Sequence, residues 1–165
     1  MGFALAEACA ERGAEVTLVA GPVSLKTHHP AIKRIDVESA GEMYQAAMTA
    51  FPSSDAAILC AAVADYRPEN ASEQKIKRET EREMTLHLVP NPDIAASLGA
   101  IKREGQVMVG FALETNDEAT HAEGKLKRKN LDFIVLNSLR DQGAGFRCDT
   151  NKITIIDNAG GVTSY

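Results

Sequence analysis

Two kinds of residue stand out as able to work together on a phosphorylated small molecule. One is a carboxylate at the end of an apolar run, the other a set of lysines spread over later segments. The run is Ala57-Ile58-Leu59-Cys60-Ala61-Ala62-Val63-Ala64, and Asp65-Tyr66-Arg67-Pro68 follows directly. A continuous apolar stretch of this length reads as a parallel strand covered on both faces. A carboxylate just past its carboxyl end falls where open α/β sheets take their ligands. Polar residues Glu69 to Gln74 then lead to Lys75-Ile76-Lys77-Arg78. Ammonium groups on such a loop can close over a nucleotide's phosphates once these have bound. The same stretch also fits a core strand, a surface turn and a solvated charge run, since a match of this size is only a hypothesis.

Further along, Pro90-Asn91-Pro92-Asp93 opens a helix. Proline tolerates a first helical turn and aspartate suits the dipole, so this is structurally routine. The free N–H groups there can equally hold an anion or a base edge. Gly110 and Phe111, near the end of the apolar run Val107 to Leu113, read as able to approach a flat ring. Lys125 and Lys129 are four apart and share one face of a helix. The adjacent His28 and His29 lack a further ligand at metal-site spacing and read as solvent-exposed. His87 reads as a surface or interface residue.

These side chains need a scaffold. Helices are expected over Gly2–Glu11, from a Ser39 N-cap to Phe51, over Ile94–Arg103 and over Asp117–Asn130. Glu42 falls in the first turn of the second helix, where a carboxylate suits the dipole. Strands are expected at Ala14–Ala20, Lys33–Val37, Ala57–Ala64, Met84–Val89, Val107–Leu113, Phe133–Asn137 and Lys152–Asp157, with a long loop at Ser138–Asn151. In Met84–Val89, Met84, Leu86 and Leu88 alternate with Thr85 and His87, so one face is exposed or meets another subunit. The alternation of strand and helix implies an α/β fold: a doubly wound, mostly parallel, Rossmann-like sheet with helices on both faces. The chain opens inside a helix, so the strand and glycine-rich turn that normally precede such a helix are expected to be missing.

Size and composition narrow the function. At 165 residues the chain is one domain. A net charge of −5 argues against a general nucleic-acid binder, though not against a local basic pocket. No apolar run is long enough to span a bilayer. Cys9, Cys60 and Cys148 are widely spaced and odd in number; the first two read as buried thiols of a reducing cytoplasm.

The chain resembles the phosphopantothenoylcysteine synthetases (phosphopantothenate–cysteine ligases), usually the C-terminal half of a bifunctional coenzyme A biosynthesis protein in bacteria. The resemblance rests on MGFALAEACAERGAEVTLVAGPVSL, AAVADYRP followed by EQKIKR, VPNPDIAASL, VGFALET and KLKRKNLDFIVLN, in family order across nearly the whole chain. It implies a CTP-dependent ligase. The carboxylate of 4′-phosphopantothenate attacks the α-phosphate of CTP, giving an acyl-cytidylate and pyrophosphate, and the cysteine amine then displaces CMP. By the matching motifs, Leu59, Cys60 and Ala61 line the nucleotide, and Asp65 contacts it or its metal. Lys75 is the catalytic residue that reaches the phosphates and stabilises charge in the transition state. Pro92, Asp93, Ile94 and Ala95 shape the base pocket with Phe111 nearby, and Lys125 and Lys129 hold the triphosphate. The resemblance also implies magnesium on the phosphates, a cytoplasmic homodimer, and FMN only in a separate decarboxylase half. The family's upstream segment, with its asparagine and Ser-Ser-Gly run, is not in this sequence, so CTP binding with little or no turnover is expected of this chain alone.

Two rival readings differ in class. A nicotinamide-dependent reductase fits the opening AEACAERGAEVTLVAG, but the sequence has neither Gly-x-Gly-x-x-Gly nor Tyr-x-x-x-Lys. A CTP-binding or dimerisation fragment without activity fits the alternating strand and the absent asparagine.

Overall fold

The computed structural model describes residues 1–72, 74–76, 84–114, 118–138 and 152–165. Helix α1 (Gly2–Glu11) buries Ala6 and Ala10 and stops at Arg12. Gly13 follows with φ +92°, a left-handed conformation that glycine adopts freely. Strands β1 (Val16–Ala20) and β2 (Ile32–Asp36) pair in parallel, Val16 opposite Ile32. Helix α2 (Ala40–Ala50) begins with a capping box. The Ser39 hydroxyl accepts from the Glu42 N–H at 3.1 Å, and Glu42 Oε2 accepts from the Ser39 N–H at 3.1 Å. Glu42 therefore does more than favour the dipole, and Ser-x-x-Glu is the signal for it.

The remaining elements are β3 (Ala56–Leu59), β4 (Tyr66–Pro68), β5 (Leu88–Pro90), α3 (Ile94–Ile101), β6 (Val107–Glu114), α4 (Glu118–Arg128), β7 (Phe133–Ser138), β8 (Ile153–Asp157) and β9 (Val162–Ser164). Five strands form the main sheet in the order β3-β6-β7-β8-β9. Its centre, β3-β6-β7, is parallel, and β8 and β9 add an antiparallel edge. This is the expected α/β class with a parallel centre. The antiparallel edge was not foreseen, because β9 is short and exposed and carries no strong periodicity. Among the described residues no pairing joins β1 to β3. The pairs β1-β2 and β4-β5 are each a two-stranded sheet of their own.

The core lies between the main sheet and its helices. Met108, Ala112, Ile134, Leu136 and Ile156 from the strands pack with Leu98 of α3, Ala122 and Leu126 of α4, and Phe51. Burying side chains such as Leu98 and Met108 contributes roughly 1.5–3 kcal/mol each. Lys102, just past α3, forms an ion pair with Asp132 at 2.8 Å, just before β7. Asp132 Oδ2 also accepts from the Met108 N–H at 2.7 Å. Burial raises the Asp132 pKa, but the Lys102 ammonium and that N–H outweigh it and hold the carboxyl below its usual range.

Three expectations need correcting. The strand expected over Ala57–Ala64 ends at Leu59, and residues 60–64 are irregular. It is also not covered on both faces: burial alternates, and Ile58 is 41% exposed. The cause is coverage, since Ala57 and Leu59 pack against the core and Ile58 lies on the opposite face. The strand expected over Met84–Val89 is confined to β5, which pairs antiparallel with β4 in a ribbon apart from the main sheet. Cys9 and Cys60 are half-buried free thiols rather than fully buried ones. The expected loop Ser138–Asn151, with Cys148, lies almost wholly outside the described residues.

Candidate functional site

Strand β3 ends at Leu59, opposite Gly110 of the parallel strand β6, which runs on to Glu114. Leu59 packs partly against the core, so the strand end is anchored. Cys60 follows, half-buried, and burial pushes its thiol up, so it is protonated at neutral pH. Ala61 and Asp65 are exposed. These residues make a short, open shelf at the carboxyl edge of the sheet.

Two side chains outside the expected set tie that shelf to the start of α3. Asn91 Nδ2 donates to the Ala64 carbonyl at 2.9 Å, and the Asn91 N–H donates to the Asp65 carbonyl at 2.8 Å. Arg67 Nη1 donates to the Pro90 carbonyl at 2.8 Å and to Asn91 Oδ1 at 3.1 Å. The sequence carried a signal for this. An asparagine between two prolines sits in a forced extended turn, and its flanking residues have no N–H to offer.

At the start of α3, Asp93 is the N-cap. Its Oδ1 accepts from the Ala96 N–H at 3.0 Å, and its Oδ2 pairs with Lys129 Nζ at 3.0 Å. Burial raises the Asp93 pKa, but the Ala96 N–H and the Lys129 ammonium outweigh it and hold the carboxyl below its usual range. Lys129 lies close because α3 carries Gly99, where a Cβ would run into the Lys129 carbonyl. Asn130 Nδ2 donates to the Gly99 carbonyl at 2.9 Å and fixes the same contact. Ile94 and Ala95 are half-buried and Pro92 is exposed.

The structure therefore brings together the strand-end residues, Pro92 to Ala95 and Lys129. Lys125 lies half-buried one turn before Lys129, whose N–H donates to the Lys125 carbonyl at 3.0 Å. Phe111 is half-buried, and alternation along β6 puts it on the face opposite Met108 and Ala112, away from α3. Gly110 makes room for Leu131 rather than for a ring. Lys75 is exposed on the chain between β4 and β5, and Lys77 and Arg78 lie outside the described residues.

The positive end of the helix dipole and the Lys129 ammonium both favour negative charge here, and the Asp93 carboxylate supplies it, so an incoming anion has to compete with Asp93. Two open clefts lie elsewhere. One, of about 420 Å³, sits at the ends of β1 and β2 beside Asp36, Glu38 and Glu42, and its acidic rim suits no phosphate. The other, of about 330 Å³, lies on the sheet face around Phe133 and Tyr165. Among the described residues no three His, Cys, Asp or Glu side chains converge on a metal-sized site, and no helix is long and apolar enough to cross a membrane.

The comparisons with known proteins agree with one another. The family model for the "DNA/pantothenate metabolism flavoprotein C-terminal domain" matches residues 1–165. A "Cysteine/Cysteine sulfinic acid decarboxylase" from an unknown prokaryotic organism is 56% identical over 165 residues, 100% of this chain and 46% of its own length. A "Coenzyme A biosynthesis bifunctional protein CoaBC" from Vibrio parahaemolyticus serotype O3:K6 (strain RIMD 2210633) is 51% identical over 156 residues, 94% of this chain and 39% of its own length. The chain thus spans less than half the length of either relative. Among solved structures, the "C-terminal Domain of Coenzyme A biosynthesis bifunctional protein CoaBC" superposes with a TM-score of 0.80 at 34% identity. That match covers 99% of this chain and 71% of the solved one.

Proposed function

The chain belongs to the family of DNA/pantothenate metabolism flavoprotein C-terminal domains, and we propose that it is the phosphopantothenate–cysteine ligase unit of coenzyme A biosynthesis. A role in coenzyme A biosynthesis follows from the family and from the CoaBC relatives. The ligase step and its nucleotide are our reading. CTP activates 4′-phosphopantothenate as the acyl-cytidylate, and cysteine then takes the acyl group. The observation that carries this reading is Lys129 held at 3.0 Å from the N-cap Asp93, beside the shelf that ends β3.

In this reading the nucleotide lies over Leu59, Cys60 and Ala61, with its base against Pro92, Asp93, Ile94 and Ala95. Lys125 and Lys129 attract the triphosphate, and its charge competes with Asp93 for the Lys129 ammonium. Phe111, on the other sheet face, contributes by packing beneath the shelf. Lys75 comes over the phosphates from its exposed position and neutralises the oxygen charge that develops as the α-phosphate is attacked. Magnesium would arrive with the triphosphate, with the exposed Asp65 carboxylate as the donor that suits it, and would supply charge neutralisation. The setting is the cytoplasm, in keeping with the free Cys9 and Cys60. A second copy of the chain covers the apolar side chains Tyr66, Met84, Leu86 and Leu88, each more than half exposed.

Calorimetric titration with CTP and magnesium, alongside ATP and NADPH, tests the reading. CTP is expected to bind in preference to both. A folded chain that prefers NADPH, or binds none of the three, overturns it. One relative is named as a cysteine sulfinic acid decarboxylase, so release of CO₂ from that amino acid is measured on the same sample.

A further inference from the structure

Arg67 and Asn91 form a small hydrogen-bonded strap, and we infer that it positions the two halves of the nucleotide site relative to each other. This rests on the ligase reading above, and it gives a role to two residues that lie within the motifs AAVADYRP and VPNPDIAASL without one assigned there.

The β4–β5 ribbon cannot do this alone. It is three residues by three, and Tyr66 lies opposite Pro90 while Pro68 lies opposite Leu88. Neither proline has an N–H for the ladder. A two-stranded ribbon this short is marginal even with its full set of bonds. What crosses from the strand-end loop to the helix start is therefore mostly Asn91 and Arg67. Asn91 donates from its side chain to Ala64 and from its backbone to Asp65, and it accepts from Arg67. Arg67 adds a bond to the Pro90 carbonyl at 2.8 Å. Pro92 and Asp93 follow Asn91 immediately, so the residue that holds Ala64 and Asp65 also sets where α3 begins.

The Arg67 bonds and the Asn91 amide bond to Ala64 are exposed. Exposed bonds add little to global stability, because water replaces them readily. Their effect is geometric. The base contacts on the α3 side and the shelf on the β3 side keep a fixed separation only while the strap holds. Lys129 is held separately, through Asp93 and the Gly99 contact, so phosphate attraction does not depend on the strap.

The test compares CTP with inorganic tripolyphosphate, both with magnesium, by calorimetry on Asn91→Ala, Asn91→Asp, Arg67→Ala and Arg67→Lys. Asn91→Ala and Arg67→Ala are expected to weaken CTP at least tenfold, to weaken tripolyphosphate less than twofold, and to keep the thermal midpoint within a few degrees. Arg67→Lys, which keeps a charged donor, is expected to recover most of the loss. Asn91→Asp keeps the shape and the acceptor but cannot donate to Ala64, and it is the readout if Asn91→Ala fails to fold. CTP affinities within twofold of the parent overturn the strap and leave the ligase reading standing. Equal losses for CTP and tripolyphosphate also overturn it, since they mean general damage. A parent chain that does not bind CTP overturns the ligase reading, and the strap's role with it.

Discussion

Asp93 and Lys129 answer each other's charge, and that sets what a ligand meets at the start of α3. The aspartate is held ionised by the Ala96 N–H and the lysine, and the lysine is held in place by the aspartate. An arriving phosphate finds a cation already positioned, but has to compete with Asp93 for it. Lys75 is in the opposite state, exposed on a connecting segment. A residue of that kind contributes little until charge develops near it. Lys75→Ala is accordingly expected to leave CTP affinity within a few-fold and to slow acyl-cytidylate formation by at least about 10²-fold, the scale of losing one preorganised donor. Pyrophosphate release with 4′-phosphopantothenate, measured in a form of the protein that turns over, is the assay. Unchanged release removes Lys75 from the mechanism. At this scale the sequence marked Asp93 and Lys129 as separate site candidates, and nothing in it pointed to their pairing. The Asp93–Lys129 pair joins two helices far apart in the chain, and no local rule reports such a contact. Asn91 was given no role of its own, because its bonding to Ala64 exists only once the chain has folded back.

Helices were the more legible elements, since their ends obey local rules. Ser39 caps as expected, Gly13 follows α1 as its left-handed stop, and Asp93, expected only to suit the dipole, is itself the N-cap of α3. Strand ends were less legible. The apolar run from Ala57 looks continuous, but its pairing with β6 stops at Leu59, and residues 60–64 are irregular. The elements are also joined electrostatically. Lys102 after α3 and Asp132 before β7 pair within a largely screened pocket, with side-chain exposures of 12% and 20%. The Asp132 carboxyl is held below its usual range in the folded chain, so the unfolded chain takes up its proton first as pH falls. The stability it contributes is full at neutral pH and is lost on descending from the ordinary carboxylate value, near 3.9, through the lower folded one. Asp132→Asn is expected to cost about 1.5–3 kcal/mol at pH 7, the range for bonds to a charged group. It should also flatten part of the acid limb in urea unfolding measured across pH. An acid limb identical to the parent's would show that other carboxylates carry it.

For the whole molecule, the fold class was readable because strand and helix alternate, whereas the alternation of Met84, Leu86 and Leu88 did not foretell that residues 84–87 lie outside the ribbon and are exposed on both sides. The occupant of that apolar surface is the remaining question. Met84 is 59% exposed, Leu86 61% and Leu88 51%, a concentration of apolar surface that a single copy leaves in water. Sedimentation of the parent is expected to show a dimer, and Met84→Lys with Leu86→Lys a monomer with unchanged circular dichroism. A parent that sediments as a monomer overturns the pairing. Legibility failed for the sheet's order, since β3 lies beside β6 and not beside any nearer strand.

That order also has a consequence in time. β8 and β9 are joined by a turn in which Asp157 accepts from the Ala159 and Gly161 N–H groups, so their pairing needs almost no chain closure. β3 must wait for β6, with β4, β5 and α3 in between. During synthesis β3 leaves the ribosome long before its partner exists, with Ile58 and one whole edge in water. Of these two pairings β8–β9 is the more local and closes the faster once both strands exist, while the segment that carries the shelf settles only with the long-range β3–β6 contact.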